Sequence, residues 1–418
     1  MGDFLGEESV RLVGRLGRVE RLNNEDLVIE RANRTGFEFD SVNARASLDA
    51  TVSAIAGVGQ GAPLAMLKVL TTFGRFASMI QRDAPPQEGD WFLLELEPRS
   101  KRSGPLAWAS VLGPRGYDEN RPLVLRGATW LFHEDEPPLR PLSATVAGER
   151  VLAQAIAAAC DFPKEAIGRL VDARKLLSAR VAPHHAVVRD VGQASFVSLR
   201  DSGNAEIVHL DAGWPISWNQ KTSPKKPPTI TVVAAPVILS HWDWDHLHGY
   251  HVVPDLAGSH WIVPVQKLGP GAKRVAAQLA RGGRLYGLAT QKLTAGPFVV
   301  GRCKGMKGSS NNTGLAVRVT LDSGKQLLFV GDADYDVLPL GLQGPSDFLV
   351  VTHHGARFAG AAATVKTIDA RGVVSVGFKN GYGHPSSHAI NAHSSAGWSL
   401  RYTCKWGTSR RGARQLGP

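Results

Sequence analysis

The sequence predicts a mixed α/β protein with two domains, and three observations support this. The chain has 418 residues, which is more than one ordinary hydrophobic core accommodates. From about residue 183 onward, apolar runs of four to eight residues alternate with polar loops, as strands and their connections do. Residues 147–180 have the apolar spacing of two helices that are broken near Pro163. We expect these helices to join the two halves.

The composition is that of a globular chain, with 43% hydrophobic and 20% charged residues. A formal net charge of +11 favours polyanionic partners such as nucleic acid or an acidic membrane surface. Cys160, Cys303 and Cys404 are odd in number and far apart, which predicts free thiols and a reducing compartment. The first residues lack the apolar core of a secretory signal, and charged residues interrupt the apolar stretch 50–80. We therefore expect a cytoplasmic protein without a membrane span.

Residues 1–145 predict a smaller N-terminal accessory domain that is either α+β or β-barrel-like. Its strand-like runs are VRLVGRLGRV, DLVIERA, WFLLELE and PLVLRGATWLF, whereas residues 64–80 have helical spacing. Residues 146–182 follow as a helical connector. For the accessory domain we expect binding of a protein partner, a second copy of the chain or nucleic acid, or a role as a cap over the site.

The second half contains strand-like runs that end in loops rich in histidine and aspartate. These runs are HAVVRD, ASFVSLR, AEIVHLDAG, TVVAAPVILSH, GLAVRVTL, QLLFVGD, DFLVVTHH and GVVSVG. A rigid sheet fixes side chains at its strand ends, while the loops leave them open to substrate. The sequence therefore predicts a functional site at the loops of residues 183–406.

The strongest local signal is LSHWDWDH, which follows an apolar run and contains His241, Asp243, Asp245 and His246. Imidazole and carboxylate are ligands that Zn²⁺, Mn²⁺ and Fe²⁺ accept. Their close spacing on one loop lets a single strand end supply two neighbouring ions. A lone His-x-Asp pair is more often structural, but four such residues with partners elsewhere indicate a metal site.

Three later strand ends supply those partners. Asp332 in LLFVGDAD follows an apolar run, where one carboxylate is able to bridge two ions. LVVTHHG contains His353 and His354, and GYGHPSSH brings His384 to a turn flanked by glycine. Each of these signals is weak alone, but together they provide enough histidine and aspartate for two metal ions.

The motifs occur in a known order. DVGQ at 190–193, LDAG at 210–213, SHWDWDH, NNTGLAV at 311–317, GDAD, HHG and SVGFKNGYGHP follow one another along the chain. This succession resembles the metallo-β-lactamase domain of the ComEC family of DNA-uptake channel proteins and its soluble relatives, over about 220 residues. The resemblance implies an αββα metallo-β-lactamase sandwich over residues 183–406, without the channel segments of the transport proteins.

The resemblance also implies roles for individual residues. Seven would bind two divalent ions, Zn²⁺ or Mn²⁺: His241, Asp243, Asp245, His246, Asp332, His354 and His384. Asp211 would support the metal loop, and His353 would be a supporting group or an alternative ligand. Asn312, Asn380 and Tyr382 would lie on the substrate side. Three positions depart from the family pattern, namely Ala194, Gly314 and Ala356, and these departures bear on the substrate more than on the metals.

The mechanism expected from such a site is in-line hydrolysis by a water that two metal ions activate. Asp245 is the candidate that orients or deprotonates this water, and His384 or Tyr382 would assist the leaving oxygen. Asp243 makes the donor set rich in oxygen, which favours Mn²⁺ as a rival to Zn²⁺. The sequence therefore predicts a phosphodiesterase or nuclease. Two alternatives stay open: a hydrolase of small esters, lactones or thioesters, and a non-catalytic partner-binding protein with a structural metal.

Basic residues near the motifs favour a nucleic acid or nucleotide substrate. They are Lys225, Lys226, Lys304, Lys307, Arg401, Lys405, Arg410, Arg411 and Arg414. Residues 407–418 are predicted to form a basic C-terminal tail, and the alternative is that its charges are merely solvated. Trp242 and Trp244 alternate with the metal-ligand candidates. They either stack on bases or pack beside the loop.

Overall fold

The computed structural model describes residues 4–21, 34–58, 63–82, 84–99, 104–136, 144–231, 235–289, 292–306 and 308–418. It divides into two compact units, of which the first is Met1–Phe162 with Lys267–Gln278. The second is Pro163–Gln266 with Leu279–Pro418. The DLVIERA run and Lys307 lie outside the described residues. Among the described helices, none combines the length and apolar character that crossing a membrane requires.

Six strands of the first unit close into a barrel in the order β1-β2-β3-β5-β6-β4. They are β1 Val10–Arg21, β2 Arg34–Asn43, β3 Leu64–Thr72, β4 Asp90–Pro98, β5 Leu106–Val111 and β6 Arg121–His133. Every neighbouring pair is antiparallel. The structure thus has the β-barrel alternative of the two that the sequence left open.

The barrel interior is filled by alternate residues of its strands. Leu12 and Leu16 of β1, Phe37 and Phe39 of β2 and Phe92 of β4 belong to one buried core. Side chains two residues apart in a strand point to the same face, so this alternation encloses the apolar set. The aromatic rings interlock, as in the edge-to-face contact of Phe39 with Phe92 at 5.7 Å between centroids.

The helix predicted over residues 64–80 is wrong in its first half. Residues Leu64–Thr72 form β3, which pairs with β2 on one side and β5 on the other. Helix α2, Phe73–Ile80, begins only after Thr72, whose hydroxyl accepts a hydrogen bond from the Arg75 amide at 3.2 Å. Pairing with a strand on each side overrides the helical spacing of the apolar residues, because packing among neighbouring strands outweighs local propensity.

Two further helices of the first unit are α1 Leu48–Ile55, which lies between β2 and β3 in the chain, and α3 Ala144–Ala159, which follows β6. The predicted break near Pro163 is confirmed, because α3 ends at Ala159 and the next helix, α4 Leu170–Ser178, belongs to the second unit.

The second unit contains two seven-stranded sheets. Its strands are β7 His185–Val188, β8 Val197–Arg200, β9 Glu206–Leu210, β10 Val237–Ile238, β11 Trp261–Pro264, β12 Leu285–Leu288, β13 Lys292–Ala295, β14 Phe298–Arg302, β15 Leu315–Thr320, β16 Gln326–Phe329, β17 Phe348–Val350, β18 Arg371–Val374, β19 Ser399–Tyr402 and β20 Arg414–Leu416. The sheet orders are β12-β11-β10-β9-β8-β7-β20 and β13-β14-β15-β16-β17-β18-β19. Each of the eight strand-like runs of this half contains a strand.

The two sheets share one hydrophobic core. Val197 and Leu210 of the first sheet belong to the same buried cluster as Phe298, Val317 and Phe329 of the second. The opposite face of the second sheet packs a separate cluster that includes Ala389 of helix α8, Ser387–Ser395. The remaining helices are α5 Trp244–Leu247, α6 Gly249–Val252 and α7 Pro270–Arg281, of which α7 lies largely in the first unit. The chain is thus a mixed α/β protein with a barrel and a two-sheet unit.

The C-terminal segment differs from the predicted basic tail. Arg414–Leu416 forms the edge strand β20, which pairs antiparallel with β7, and Leu416 is buried in the shared core. The alternative of a merely solvated tail is therefore wrong for these residues. The sequence did not indicate this strand, because Leu416 is its single buried residue and its conformation depends on pairing with β7.

Candidate metal centre

The site begins at the turn after β9, where Asp211 is fully buried. Its Oδ1 accepts from the Ser240 amide at 2.6 Å, and its Oδ2 accepts from the Ser240 hydroxyl at 2.9 Å. Oδ2 also lies 2.5 Å from Nδ1 of His246. Asp211 therefore holds the first and last residues of the SHWDWDH loop, and it directs Nε2 of His246 away from itself.

The loop after β10 packs closely on the LDAG turn. A Cβ on Gly213 would lie 1.9 Å from the carbonyl oxygen of Asp245, so only glycine fits there. The Ala212 amide donates to the carbonyl of His246 at 2.9 Å. The glycine of LDAG thus has a steric role, since it admits the backbone that presents Asp245 and His246.

Asp332 lies just beyond β16, beside the same loop. It is 3% exposed, and the preceding Gly331 has a φ of 57°. A Cβ on Gly331 would lie 2.4 Å from Cβ of Ser240. Glycine at this position brings the ends of β10 and β16 together, and the carboxylate of Asp332 consequently faces the histidines of the loop.

His353 and His354 follow β17 in an uncommon backbone conformation. Their φ values of 48° and 53° lie in the left-handed region, which residues other than glycine seldom adopt. The Nδ1 atom of His354 contacts the Ser375 carbonyl at 2.8 Å, which aims Nε2 at the cluster. The turn points the two imidazoles in different directions around Asp332.

Each oxygen of Asp332 faces a different pair of histidines. Oδ1 lies 3.0 Å from Nε2 of His246 and 3.9 Å from Nε2 of His354. Oδ2 lies 3.5 Å from Nε2 of His353 and 4.0 Å from Nε2 of His241. Asp332 therefore sits between two groups of donor atoms, as a bridging carboxylate does.

The group on the Oδ1 side is the tighter one. Donor atoms of Asp245, His246, Asp332 and His354 all lie within 4.8 Å of one another, and all four residues are buried. Asp245 Oδ2 is 3.3 Å from Nε2 of His354. On the other side, Oδ2 of Asp243 is 3.5 Å from Nε2 of His241.

The buried donor atoms fit a cation better than they fit one another. The atoms Nε2 of His241, His246 and His354 and both oxygens of Asp332 are buried and make no well-aligned hydrogen bond among the described residues. Unsatisfied buried polar atoms are costly, and converging nitrogen and carboxylate donors suit Zn²⁺ or Mn²⁺. The donor set is therefore one that could hold a divalent cation.

The electrostatics of the cluster agree with this. Burial would lower the pKa of His246, but the carboxylates of Asp332 and Asp211 hold that pKa well above its usual range. Burial would raise the pKa of Asp332, but His246 and His353 hold it well below its usual range. The cluster thus concentrates negative charge that attracts protons, and a bound cation would take their place.

His384 lies beside this cluster on the loop after β18. Its ring centroid is 5.6 Å from that of His353 and 5.7 Å from that of Tyr382, which stacks on it. Tyr382 is 2% exposed, and its hydroxyl accepts a hydrogen bond from Asn219 at 3.0 Å. Asn380 donates to the carbonyl of His384 and accepts from its amide, at 2.7 and 3.1 Å. Tyr382 and Asn380 thus shape the loop that carries His384.

The NNTG loop closes another side. Ser310 donates to Oδ1 of Asp243 at 3.3 Å, and Asn312 bonds the side chain and amide of Asp334 at 2.9 and 2.8 Å. A Cβ on Gly314 would lie 2.5 Å from the carbonyl oxygen of Ser240. The departure from serine at Gly314 therefore allows the loop to approach the metal-ligand candidates closely.

Trp242 and Trp244 are packing residues. Each is 5% exposed, and Trp242 donates its indole N–H to the carbonyl of Pro264 at 3.0 Å. Trp244 stacks on His251 at 5.9 Å between centroids. Rings this deeply buried cannot stack on bases. The structure therefore supports the alternative that these tryptophans pack beside the loop.

Sequence reasoning missed two supporting residues. The Ser240 hydroxyl lies 3.0 Å from Nδ1 of His241 and 3.3 Å from Nδ1 of His246, and Ser375 supplies the carbonyl that orients His354. Ser240 adjoins His241 in the motif, so its position was a usable signal. The carbonyl of Ser375 leaves no trace in the sequence, because every residue has one.

No protein-family model matches the chain, and no curated protein matches it. Three solved structures of a metallo-β-lactamase from Cronobacter sakazakii are similar. One mutant matches at 18% identity and a TM-score of 0.23, over 38% of this chain and 66% of that one. A second structure matches at 18% identity and a TM-score of 0.22, over 38% of this chain and 66% of that one. Another mutant matches at 19% identity and a TM-score of 0.20, over 35% of this chain and 59% of that one. The chain thus spans just under two thirds of the enzyme's length, and these values are too low to show a shared family or activity.

Proposed function

We propose that the chain is a metal-dependent hydrolase of the metallo-β-lactamase fold that cleaves phosphodiesters with two divalent ions. The observation that carries this proposal is Asp332, whose two buried oxygens face two different pairs of histidines. A carboxylate so surrounded suits two ions roughly 3.5–4 Å apart, the separation typical of two-metal hydrolases.

The fold proposal rests on the second unit. Its two sheets share a core, α4 packs against β12 and β13, and α8 packs against the second sheet. Two stacked sheets with a helix on an outer face, as α8 has on the second sheet, are part of the layers of an αββα sandwich. Helix α4 instead packs on the edge strands of both sheets, since its Ala173 and Leu177 belong to the core that the sheets share. The donor residues follow β10, β16 and β17, where the sandwich would hold them rigidly.

In the proposed mechanism, residues of the chain hold the metal ions, orient the attacking water and transfer protons. Two bound cations would supply a water of lowered pKa and neutralise charge on the phosphodiester oxygens. His241, Asp243, Asp332 and one of His353 and His384 would hold the first ion. Asp245, His246, Asp332 and His354 would hold the second.

Three residues have further roles in this mechanism. Asp245 orients the water and accepts its proton, as a carboxylate beside both His246 and His354 is able to do. Where His353 rather than His384 holds the first ion, His384 would protonate the leaving oxygen, and Tyr382 would position the His384 ring by stacking on it. The oxygen-rich donor set favours Mn²⁺ alongside Zn²⁺.

Charge favours a phosphodiester over a neutral ester. The formal net charge is +11, and Lys225, Lys226 and Lys304 are exposed. Phosphate contacts release counterions, so binding of a nucleic acid weakens steeply as the salt concentration rises. Turnover of a small ester would change little with salt.

The test combines metal analysis with a substrate panel. Elemental analysis of the purified protein should find two ions per chain, and Mn²⁺ or Zn²⁺ should support cleavage of labelled DNA, RNA or a small phosphodiester. Asp332→Asn should abolish both properties. Asp322→Asn is the matched control, because Asp322 is an exposed acid paired with His184 on the same unit. Metal-dependent turnover of lactones or thioesters alone, or bound metal with no turnover, would reject the phosphodiesterase.

A further inference from the structure

The positive charge of the chain is concentrated in two segments. Residues 212–242 contain three lysines and no acidic residue, and residues 370–418 contain seven lysines and arginines and no acidic residue. Most of the net charge of +11 therefore belongs to segments that are far apart in the sequence. Such a bias is an electrostatic footprint rather than an average property.

The fold brings these two segments together around Thr222. Arg411 donates to the carbonyls of Thr222 and Ser223 at 2.8 and 3.2 Å, and Asp190 fixes its guanidinium at 2.8 Å. A Cβ on Gly377 would lie 2.5 Å from Cβ of Thr222. Three stretches, at 221–226, 378–379 and 405–411, consequently lie beside one another.

These stretches present cations and aromatic rings side by side. We define the basic surface as Lys221, Lys225, Lys226, Phe378, Lys379, Lys405, Trp406 and Arg410, which are all exposed. Phe378 is 46% exposed and Trp406 is 37% exposed, unlike the buried Trp242 and Trp244. Lys379 Nζ lies 5.4 Å from the Phe378 ring centroid, and Trp406 stacks on Tyr402 at 4.9 Å.

A short series of buried contacts links the basic surface to His384 of the candidate metal centre. Asn219, two residues before Lys221, donates to the hydroxyl of Tyr382 at 3.0 Å. The Tyr382 ring stacks on His384, and His384 in turn contacts His353. The basic surface therefore lies close in the fold to the loop that carries His384.

We propose that the basic surface binds a single strand of nucleic acid and leads it to the His/Asp cluster. Lysines and arginines would pair with successive phosphates, and Phe378 and Trp406 would stack on bases. Duplex DNA hides its base faces, whereas a single strand offers them. This proposal rests on the proposed function for its cleavage step, but not for its binding step.

The first experiment measures binding without cleavage. Fluorescence anisotropy with a labelled oligothymidylate in EDTA compares the full chain with Lys225→Ala/Lys226→Ala. Loss of two phosphate contacts should lower the slope of log affinity against log salt concentration by about 1.4. Phe378→Ala should weaken binding by at least about fivefold, because it removes a stacking platform.

The control variant is Lys325→Ala/Lys366→Ala, which removes the same charge. Both lysines are exposed and lie at the end of the second sheet opposite the cluster, since Lys325 follows β15 and Lys366 precedes β18. The control should retain the wild-type salt slope. Equal loss in test and control variants would overturn the proposal, as would equally tight wild-type binding to duplex DNA or phosphatidylserine vesicles.

The second experiment separates the surface from the cluster. With Mn²⁺ bound, Lys225→Ala/Lys226→Ala should raise KM for the oligonucleotide relative to KM for bis(p-nitrophenyl) phosphate, which is too short to span the surface. Wild-type protein that cleaves neither substrate yet binds the strand refutes the proposed function alone. Protein that cleaves the small diester without affinity for the strand refutes the basic surface alone.

Discussion

Buried acidic residues have different partners in the barrel and in the candidate metal centre. Asp90 of the barrel is fully buried, and it accepts from the Gln87 amide, the Trp130 indole and His133 at 2.9, 3.0 and 3.2 Å. Asp332 is equally enclosed, but neither of its oxygens makes a well-aligned hydrogen bond among the described residues. The first acid is satisfied by the fold itself, and the second is arranged for something that the fold does not supply.

Other acids of the first unit follow the pattern of Asp90. Glu134 receives two hydrogen bonds of 2.8 Å from Arg15, and Lys68 pairs with Glu38 at 2.9 Å. Asp40 accepts from the amides of Gly271 and Ala272 at the start of α7. The contrast indicates that burial of a carboxylate is not itself a functional signal. What distinguishes the candidate metal centre is that the partners of the buried carboxylate are histidines, which are themselves metal-ligand candidates.

The sharpest test of this contrast exchanges the two acids for alanine. Asp90→Ala should lower the free energy of unfolding by about 3–5 kcal/mol, because it strands several buried donors. Its metal content should be unchanged. Asp332→Ala should lose bound metal but cost far less stability in EDTA, since the surrounding imidazoles are able to release protons. Urea unfolding and elemental analysis measure both quantities, and similar behaviour of the two variants would break the comparison.

A second test concerns the residue that orients His246. Asp211→Asn should weaken metal binding by about 10–100-fold, because supporting groups of metal ligands typically contribute that much. Isothermal titration with Zn²⁺ measures the affinity. Asp347→Asn is the control, since Asp347 is a buried acid of the same unit that bonds only structural groups, such as the Gln326 amide at 2.8 Å. An unchanged affinity in Asp211→Asn would contradict the orienting role.

A third test concerns His209, a buried histidine of the second unit that the fold keeps neutral. Burial lowers the pKa of His209 to about 4, and its Nδ1 lies 3.1 Å from the Ser198 hydroxyl. Below the unfolded pKa of about 6.5 only the unfolded chain takes up this proton. Stability should therefore fall as the pH drops from 6.5 towards 4, by about 2 kcal/mol at pH 5 from this residue. Urea midpoints of wild type and His209→Gln should converge as the pH falls.

The smallest expected effect is a lack of reactivity in both units. Burial raises the pKa of Cys303 to about 12, and it also raises the pKa values of Cys160 and Cys404. Thiolate is the reactive form, so a disulfide reagent at pH 8 should modify no cysteine of the native protein and all three after unfolding. Rapid labelling of any native cysteine would show that its surroundings open.

Period and composition predicted much of the fold. Short apolar runs bounded by polar loops indicated β1, β4, β6 and the main strands of the second unit, several of which are buried on both faces. Two features escaped. β3 has helical spacing, and only its partners β2 and β5 decide its conformation. β20 has a single buried leucine, so its place in the sheet depends on β7 rather than on its own sequence.

The candidate site was predictable as far as donor chemistry goes. Histidine and aspartate at successive strand ends predicted four residues whose donor atoms the fold brings within 4.8 Å of one another, namely Asp245, His246, Asp332 and His354. Position relative to neighbours was not predictable. Trp242 and Trp244 are buried and therefore cannot contact a substrate. Tyr382 is held by a hydrogen bond from Asn219, and its ring packs on His384. The exposure of Phe378 likewise depends on how its loop packs on Thr222.

The left-handed pair His353 and His354 has a consequence for directed evolution. Each residue is held in a conformation that costs about 1–2 kcal/mol and that glycine adopts freely. A screen for heat resistance alone would reward glycine at both positions and erase two imidazoles from the cavity. Selection for stability therefore favours glycine in this turn, whereas selection for turnover favours the two histidines. We expect the histidines to persist only in libraries that are also selected for turnover.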